Sequence, residues 1–184
     1  IGLDDMFQYD MLARSLASGD GFRWYAQEDL KLLEPYVDFD LSSAQGYDPQ
    51  YGLYTSFRAP LYPAFLSLVY TLSGLDFSRF FWARLAQAIF LGASLAPLTY
   101  LLARRIFSST SDAQIGTEKT ARIAAWLMAA YPMLLVYPLG LGTENLFFVL
   151  LLASFYFLLR GIEMPSATHL LLAGSFLALT ALTR

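Results

Sequence analysis

Apolar residues recur at helical spacing over residues 6–18, where Met6, Tyr9, Leu12, Ala13 and Leu16 fall on one face. This stretch is expected to form an amphipathic helix, and Gly19 and Gly21 follow to stop it. Residues 22–57 show no period. They are rich in Tyr, Asp, Gly, Ser and Pro, as in "GYDPQYGLYTSF", with too many aromatics for a disordered linker. An ordered loop with a short helix near 28–34 is expected there.

From Ala59 the pattern changes. "APLYPAFLSLVYTLSG" is apolar over about 15 residues, short of the roughly 20 that a membrane span needs. Its prolines stand in the first turn, where they are tolerated. "FFWARLAQAIFLGASLAPLTYLLARRIF" has the length of a span and closes on Arg104 and Arg105. After the polar connection "SSTSDAQIGTEKT" come "ARIAAWLMAAYPMLLVYPLGLG", "TENLFFVLLLASFYFLLRG" and the shorter "ATHLLLAGSFLALTALTR". The pattern predicts an all-α membrane protein, a transmembrane helical bundle with a loop that carries interfacial or juxtamembrane helices. Its parts are a loop over 1–57, an interfacial helix over 58–77, and within 78–184 four transmembrane helices at about 81–104, 121–141, 144–160 and 168–184. No tandem repeat is present.

Composition supports a membrane setting. Apolar residues make up 57% and charged residues 15%, with a mean hydropathy of +0.47, whereas an ordinary globular domain is about 25% charged. Cysteine is absent, which excludes disulfides and thiolate metal sites, and one histidine excludes multi-histidine centres. Charge is split along the chain. Residues 1–57 hold ten acids against three bases, a balance of −7, and the remainder five against nine, or +4. A water-facing acidic loop on a membrane domain fits this split, and nucleic-acid binding, which needs a basic face, does not. The chain opens on Ile-Gly without a signal-peptide pattern and ends on Arg184 after an apolar run, so it reads as part of a longer membrane protein.

Basic residues in short connections set the orientation. Arg104, Arg105, Lys119 and Arg122 follow the first span and Arg160 lies after the third, so that face is expected to be cytoplasmic. Glu144 then falls on the opposite face. If residues 61–74 span, the acidic loop is cytoplasmic; if they lie in the interface, it is extracytoplasmic. Their shortness, Tyr62, Tyr70 and the two prolines favour the interface.

The segments "DDMFQYDMLARSLASGDGF", "SFRAPLYPAFLSLVYTLSG", "RLAQAIFLGASLAPLTYLLARRIF", "YPMLLVYPLGLGTENLFFVLLL" and "TALTR" occur in this order. Together they resemble GT-C-type integral membrane glycosyltransferases, in particular protein O-mannosyltransferase-like enzymes and aminoarabinose transferases. The acid motif and "RAPLYP" are the more specific pieces. The resemblance implies a first extracytoplasmic loop that carries the catalytic acid and a sugar donor linked to polyprenyl phosphate. The acceptor would be a protein, lipid or glycan outside the cytoplasm, and the bilayer itself a partner. It implies a multi-pass protein of the cell or inner membrane. The family usually reads Asp-Glu with an aromatic four residues after the Asp. Here Asp5 and Tyr9 have that spacing, which leaves Asp4 an extra neighbour.

Transfer from a phosphate-linked sugar needs a base for the acceptor hydroxyl and cations for the departing phosphate. It differs in this from glycoside hydrolysis, which uses two carboxylates. Asp5 is the expected base, with inversion at the anomeric carbon, and Asp4 a helper; the plainer reading of Asp5 is a helix N-cap. Arg58, Arg84 and Arg184 are candidates for the donor phosphate, although Arg58 equally suits a snorkelling anchor. Glu144, which also suits a helix start, and Tyr9 are expected near the cavity. No metal or other cofactor is expected, while oligosaccharyl-transferring cousins with similar acids use a divalent cation. His169 reads as an interfacial residue. The rival functions are a transporter or flippase segment, which would carry charge at mid-membrane, and a non-catalytic membrane scaffold.

Overall fold

A computed structural model describes residues 5–34, 41, 43–108 and 114–184. The described chain is mainly helical, with one antiparallel pair of two-residue strands, and it divides into two compact units, Ile1–Ala83 and Arg84–Arg184. The first unit therefore takes in both the acidic loop and the helix expected at 58–77, because that helix packs on the loop's own first helix.

In the first unit, α1 (Asp5–Ser18) forms where the apolar spacing places it. It ends at Gly19, whose φ of +85° is a conformation that favours glycine, and the Asp20 N–H returns to the Ser15 carbonyl. The chain then makes β1 (Arg23–Trp24), α2 (Gln27–Leu33) and β2 (Leu53–Tyr54), the strands pairing antiparallel with Arg23 opposite Tyr54. Gly52 stands at φ +80°, and a Cβ there would collide with the Trp24 carbonyl. Met11, Tyr25 and Leu33 form a small core beneath this loop, flanked by Phe7, Trp24, Leu30 and Leu41.

Helix α3 (Leu61–Ser73) buries Tyr62, Leu66 and Tyr70, a stripe at four-residue spacing. Tyr62 meets Tyr9 of α1 edge-to-face, with ring centroids 5.0 Å apart. Its opposite face leaves Leu68 and Leu72 bare. A helix polar enough to dock on the loop by one side and apolar on the other suits a position in the plane of an interface. At 13 residues and about 1.5 Å per residue it is too short to cross a hydrocarbon core of about 30 Å.

The second unit is built on apolar helices. A continuous helix, whose residues 79–83 still belong to the first unit, runs from Arg79 to Phe107 as α4 (Arg79–Ala86), a π-helical stretch (Gln87–Gly92) and α5 (Ala93–Phe107). Pro97 lies within α5, one turn past the π-helical stretch, and removes one donor from the helix ladder. Gln87 is fully buried, and its Nε2 donates to the carbonyls of Gly140 (2.9 Å) and Pro138 (3.3 Å). It thereby satisfies backbone that water could not reach in lipid.

Next come α6 (Gln114–Ala130), α7 (Pro132–Val136) and a 3-10 turn at Tyr137–Leu139. The second expected span is thus broken, with a bend of 51° at Tyr131 and Pro132. Helices α8 (Glu144–Glu163) and α9 (Ala167–Ala181) form a hairpin. Small buried residues, Ala153, Ser154, Gly161 and Ala173, let them approach closely, and the Ser154 hydroxyl donates to the Ala173 carbonyl at 2.9 Å.

Among the described residues two helices are long and apolar enough to cross a membrane, Arg79–Phe107 and Glu144–Glu163, and a third is if the bent pair acts as one span. The expectation of four spans is reduced to that extent. The last apolar stretch gives a helix of 15 residues, about 22 Å long at 1.5 Å per residue.

Candidate functional site

The strongest concentration of charge in the first unit is centred on Asp10, which the sequence reading passed over. Its carboxylate is almost fully buried and accepts from four donors. Arg79 grips it with two parallel bonds, Nε to Oδ1 at 2.8 Å and Nη2 to Oδ2 at 3.0 Å. Arg14, one helical turn on, donates to Oδ2 at 2.9 Å, and the Tyr70 hydroxyl donates to Oδ1 at 2.9 Å. Arg14 reaches onward to Asp29 of α2 at 2.5 Å. One carboxylate thus joins α1 to α3 and to the start of α4, and through Arg14 to α2. Burial and the neighbouring Asp10 charge push the Tyr70 hydroxyl far above the usual phenol range, so it stays protonated and keeps its hydrogen bond to Asp10. Burial also raises Asp29 above the ordinary carboxylate range, because it outweighs the pull of Arg14.

Asp5 has the opposite character. It occupies the first turn of α1, its side chain is 63% exposed, and it forms an ion pair with Arg58. Arg58 is itself well ordered by its surroundings. Its Nε donates to the Gln8 side chain at 2.7 Å and its guanidinium lies 5.3 Å from the centre of the Tyr9 ring. Asp5, Tyr9 and Arg58, three of the expected site residues, therefore meet at one end of α1, while Asp4 lies outside the described residues. The arrangement offers a solvent-accessible carboxylate and a cation side by side, at the point where the chain enters α3 with its bare apolar face.

The other expected residues belong to the second unit. Arg84 is exposed on the last turn of α4, and among the described residues no ion pair holds it. Glu144 is half-buried in the first turn of α8 and folds back over Gly142, where a Cβ would run into its carboxylate. Arg184 is exposed beyond α9. Among the described residues no three His, Cys, Asp or Glu side chains gather as a metal-binding group.

The missed residue carried a signal. Met6, Asp10 and Ala13 follow one another at spacings of four and three, so Asp10 stands on the apolar stripe of α1, with Arg14 four residues on. An acid in that position must find cations or stay out of the core. Comparison with protein-family models, with curated proteins and with solved structures finds no match to this chain.

Proposed function

We propose that the chain is part of a membrane glycosyltransferase of the GT-C type, acting on a sugar donor linked to polyprenyl phosphate. The observation that carries this reading is the Asp5–Arg58 pair, exposed at the end of a helix that is otherwise locked in place by a buried ion network. In the resting protein Arg58 is the partner of Asp5. A donor phosphate competes for the guanidinium, which binds such oxygens in a bidentate manner, and its arrival releases the carboxylate. Asp5 then takes the proton of the acceptor hydroxyl while the hydroxyl oxygen attacks the anomeric carbon. The bond from that carbon to the phosphate oxygen breaks, and the phosphate leaves with the electron pair, its charge held by Arg58. Attack opposite the leaving group inverts the anomeric centre. The bare apolar side of α3 keeps this chemistry at lipid headgroup depth, where the polyprenyl chain stays in the bilayer and its phosphate reaches the loop.

The test uses cells that lack the protein. Their lipid extract should hold an unused polyprenyl-phosphate sugar, which the wild-type gene removes. Asp5→Asn, expressed at the same level, should leave it in place, since loss of a positioned base costs on the order of 10²–10⁴ in rate. Full clearance by Asp5→Asn would refute the proposal.

A further inference from the structure

A second polar site lies in the other unit, where the ends of α5 and α8 meet the beginning of α6. A cavity of about 620 Å³ opens there, within the size range of small-molecule sites. Its lining combines Arg104, Arg105, Glu118, Glu163, Tyr156 and Ser108. Arg104, Arg105 and Glu163 sit at the ends of the two described helices long enough to cross a bilayer, a depth at which lipid headgroups are found. Ile106 and Phe107, both exposed, flank the same end of α5.

The charges in this cavity are paired unequally. Glu118 is well satisfied: the Tyr100 hydroxyl lies 3.0 Å from both of its oxygens, and Arg122 donates to one of them at 2.8 Å. Arg104 reaches Glu118 only at 3.7 Å, beyond hydrogen-bond range, so its donors are largely uncommitted among the described residues. Arg105 lies over the Tyr156 ring, 4.9 Å from its centre, and makes an ion pair with Glu163, which is 41% exposed. Among the described residues the cavity therefore presents two guanidiniums, Arg104 held only by the long Glu118 contact, and two carboxylates, of which Glu163 is the more exposed and has fewer hydrogen-bond partners. An anionic group alone would have to pull Arg105 from Glu163 and leave that carboxylate without a partner. A group that carries both a phosphate and an ammonium replaces both partners at once.

We infer that this cavity binds a phosphate–ammonium zwitterion, the headgroup of an ethanolamine phospholipid. The phosphate lies against Arg104 and Arg105, with the Tyr156 hydroxyl lining the same cavity, and the ammonium lies against Glu163. Three ammonium hydrogens suit a carboxylate, whereas a trimethylated choline has none to donate. The site is independent of the Asp5–Arg58 pair, and its occupancy needs no sugar donor.

The purified protein in detergent is mixed with equal amounts of phosphatidylethanolamine and phosphatidylglycerol of the same acyl chains, and bound lipid is counted by native mass spectrometry. Phosphatidylethanolamine should be retained about fivefold over phosphatidylglycerol, the worth of one accessible ion pair. Glu163→Gln should bring the two lipids level, and Arg104→Ala, at a position 55% exposed in its side chain, should lower both. Thermal unfolding recorded on the same samples separates loss of the site from loss of the fold. Equal or greater retention of phosphatidylglycerol by the wild type, or a preference that survives Glu163→Gln in folded protein, overturns the inference. Free phosphoethanolamine that displaces the lipid at matched concentration overturns the lipid source and assigns the site to a soluble phosphoamine.

Discussion

Replacing Asp10 by Asn tests whether the first unit is held together by its buried carboxylate. The change keeps the side chain's shape but removes its charge and one acceptor oxygen. Four hydrogen bonds converge on Asp10, three of them from Arg14 and Arg79. The asparagine amide would turn donor hydrogens toward a guanidinium that has only donors of its own. Breaking a buried pair from one side costs about 3–5 kcal/mol, because the remaining charge loses its compensation. For a chain of this size each kcal/mol moves the midpoint by about 2–4 °C, so a fall of roughly 6–20 °C is expected.

Asp5→Asn is the internal control. Its pair with Arg58 is largely exposed, is worth about 0–1 kcal/mol, and should move the midpoint by no more than about 4 °C. Thermal unfolding followed by fluorescence, with Trp82 and Trp126 replaced by Phe, leaves Trp24 to report on the core of the first unit. A fall for Asp10→Asn of less than about 4 °C, no larger than Asp5→Asn allows, would refute the assignment of Asp10 as the acid that holds the first unit together.

Three further outcomes follow from the same geometry. Because burial holds Asp29 above the ordinary carboxylate range, the folded state retains a proton there that the unfolded chain has already released. This contribution to stability is full below the ordinary value and is lost as pH rises through the raised one. The midpoint of the wild type relative to Asp29→Asn should therefore fall as pH rises from about 4, and a constant or rising difference in a pH series would count against it. Gly52→Ala should destabilise the first unit by about 1–3 kcal/mol or more, since its positive φ is strained for alanine and the new Cβ meets the Trp24 backbone; Trp24 fluorescence on heating reads this. Gln87→Leu leaves the Gly140 and Pro138 carbonyls without their side-chain donor, and a loss of about 1–3 kcal/mol should appear in thermal unfolding of the protein in detergent.

Several features could be read from local pattern alone. The spacing of Met6, Tyr9, Leu12, Ala13 and Leu16 determined α1, and the glycines after it determined its end, because helix periodicity and a left-handed turn are properties of a few consecutive residues. Hydropathy likewise placed expected spans at about 81–104 and 144–160, within the helices 79–107 and 144–163 that are long and apolar enough to cross, and the short apolar run before them marked a helix too brief to cross. Other features depended on residues far apart in the chain. Asp10 acquired its role from Arg79 and Tyr70, more than fifty positions away, and nothing in the local sequence says which cation a buried acid will meet.

Tertiary structure also set Asp5 against Arg58 across 53 residues, whereas the break of the second expected span at Tyr131 has a local cause in Pro132, which favours an extended residue before it. At the far end of α5 tertiary structure folded Glu163 onto Arg105 to shape a polar cavity. Sequence fixes where charge is costly, since burial depends on a local apolar stripe. Only the fold decides how that cost is met, since ion pairing needs two side chains to be brought together by packing.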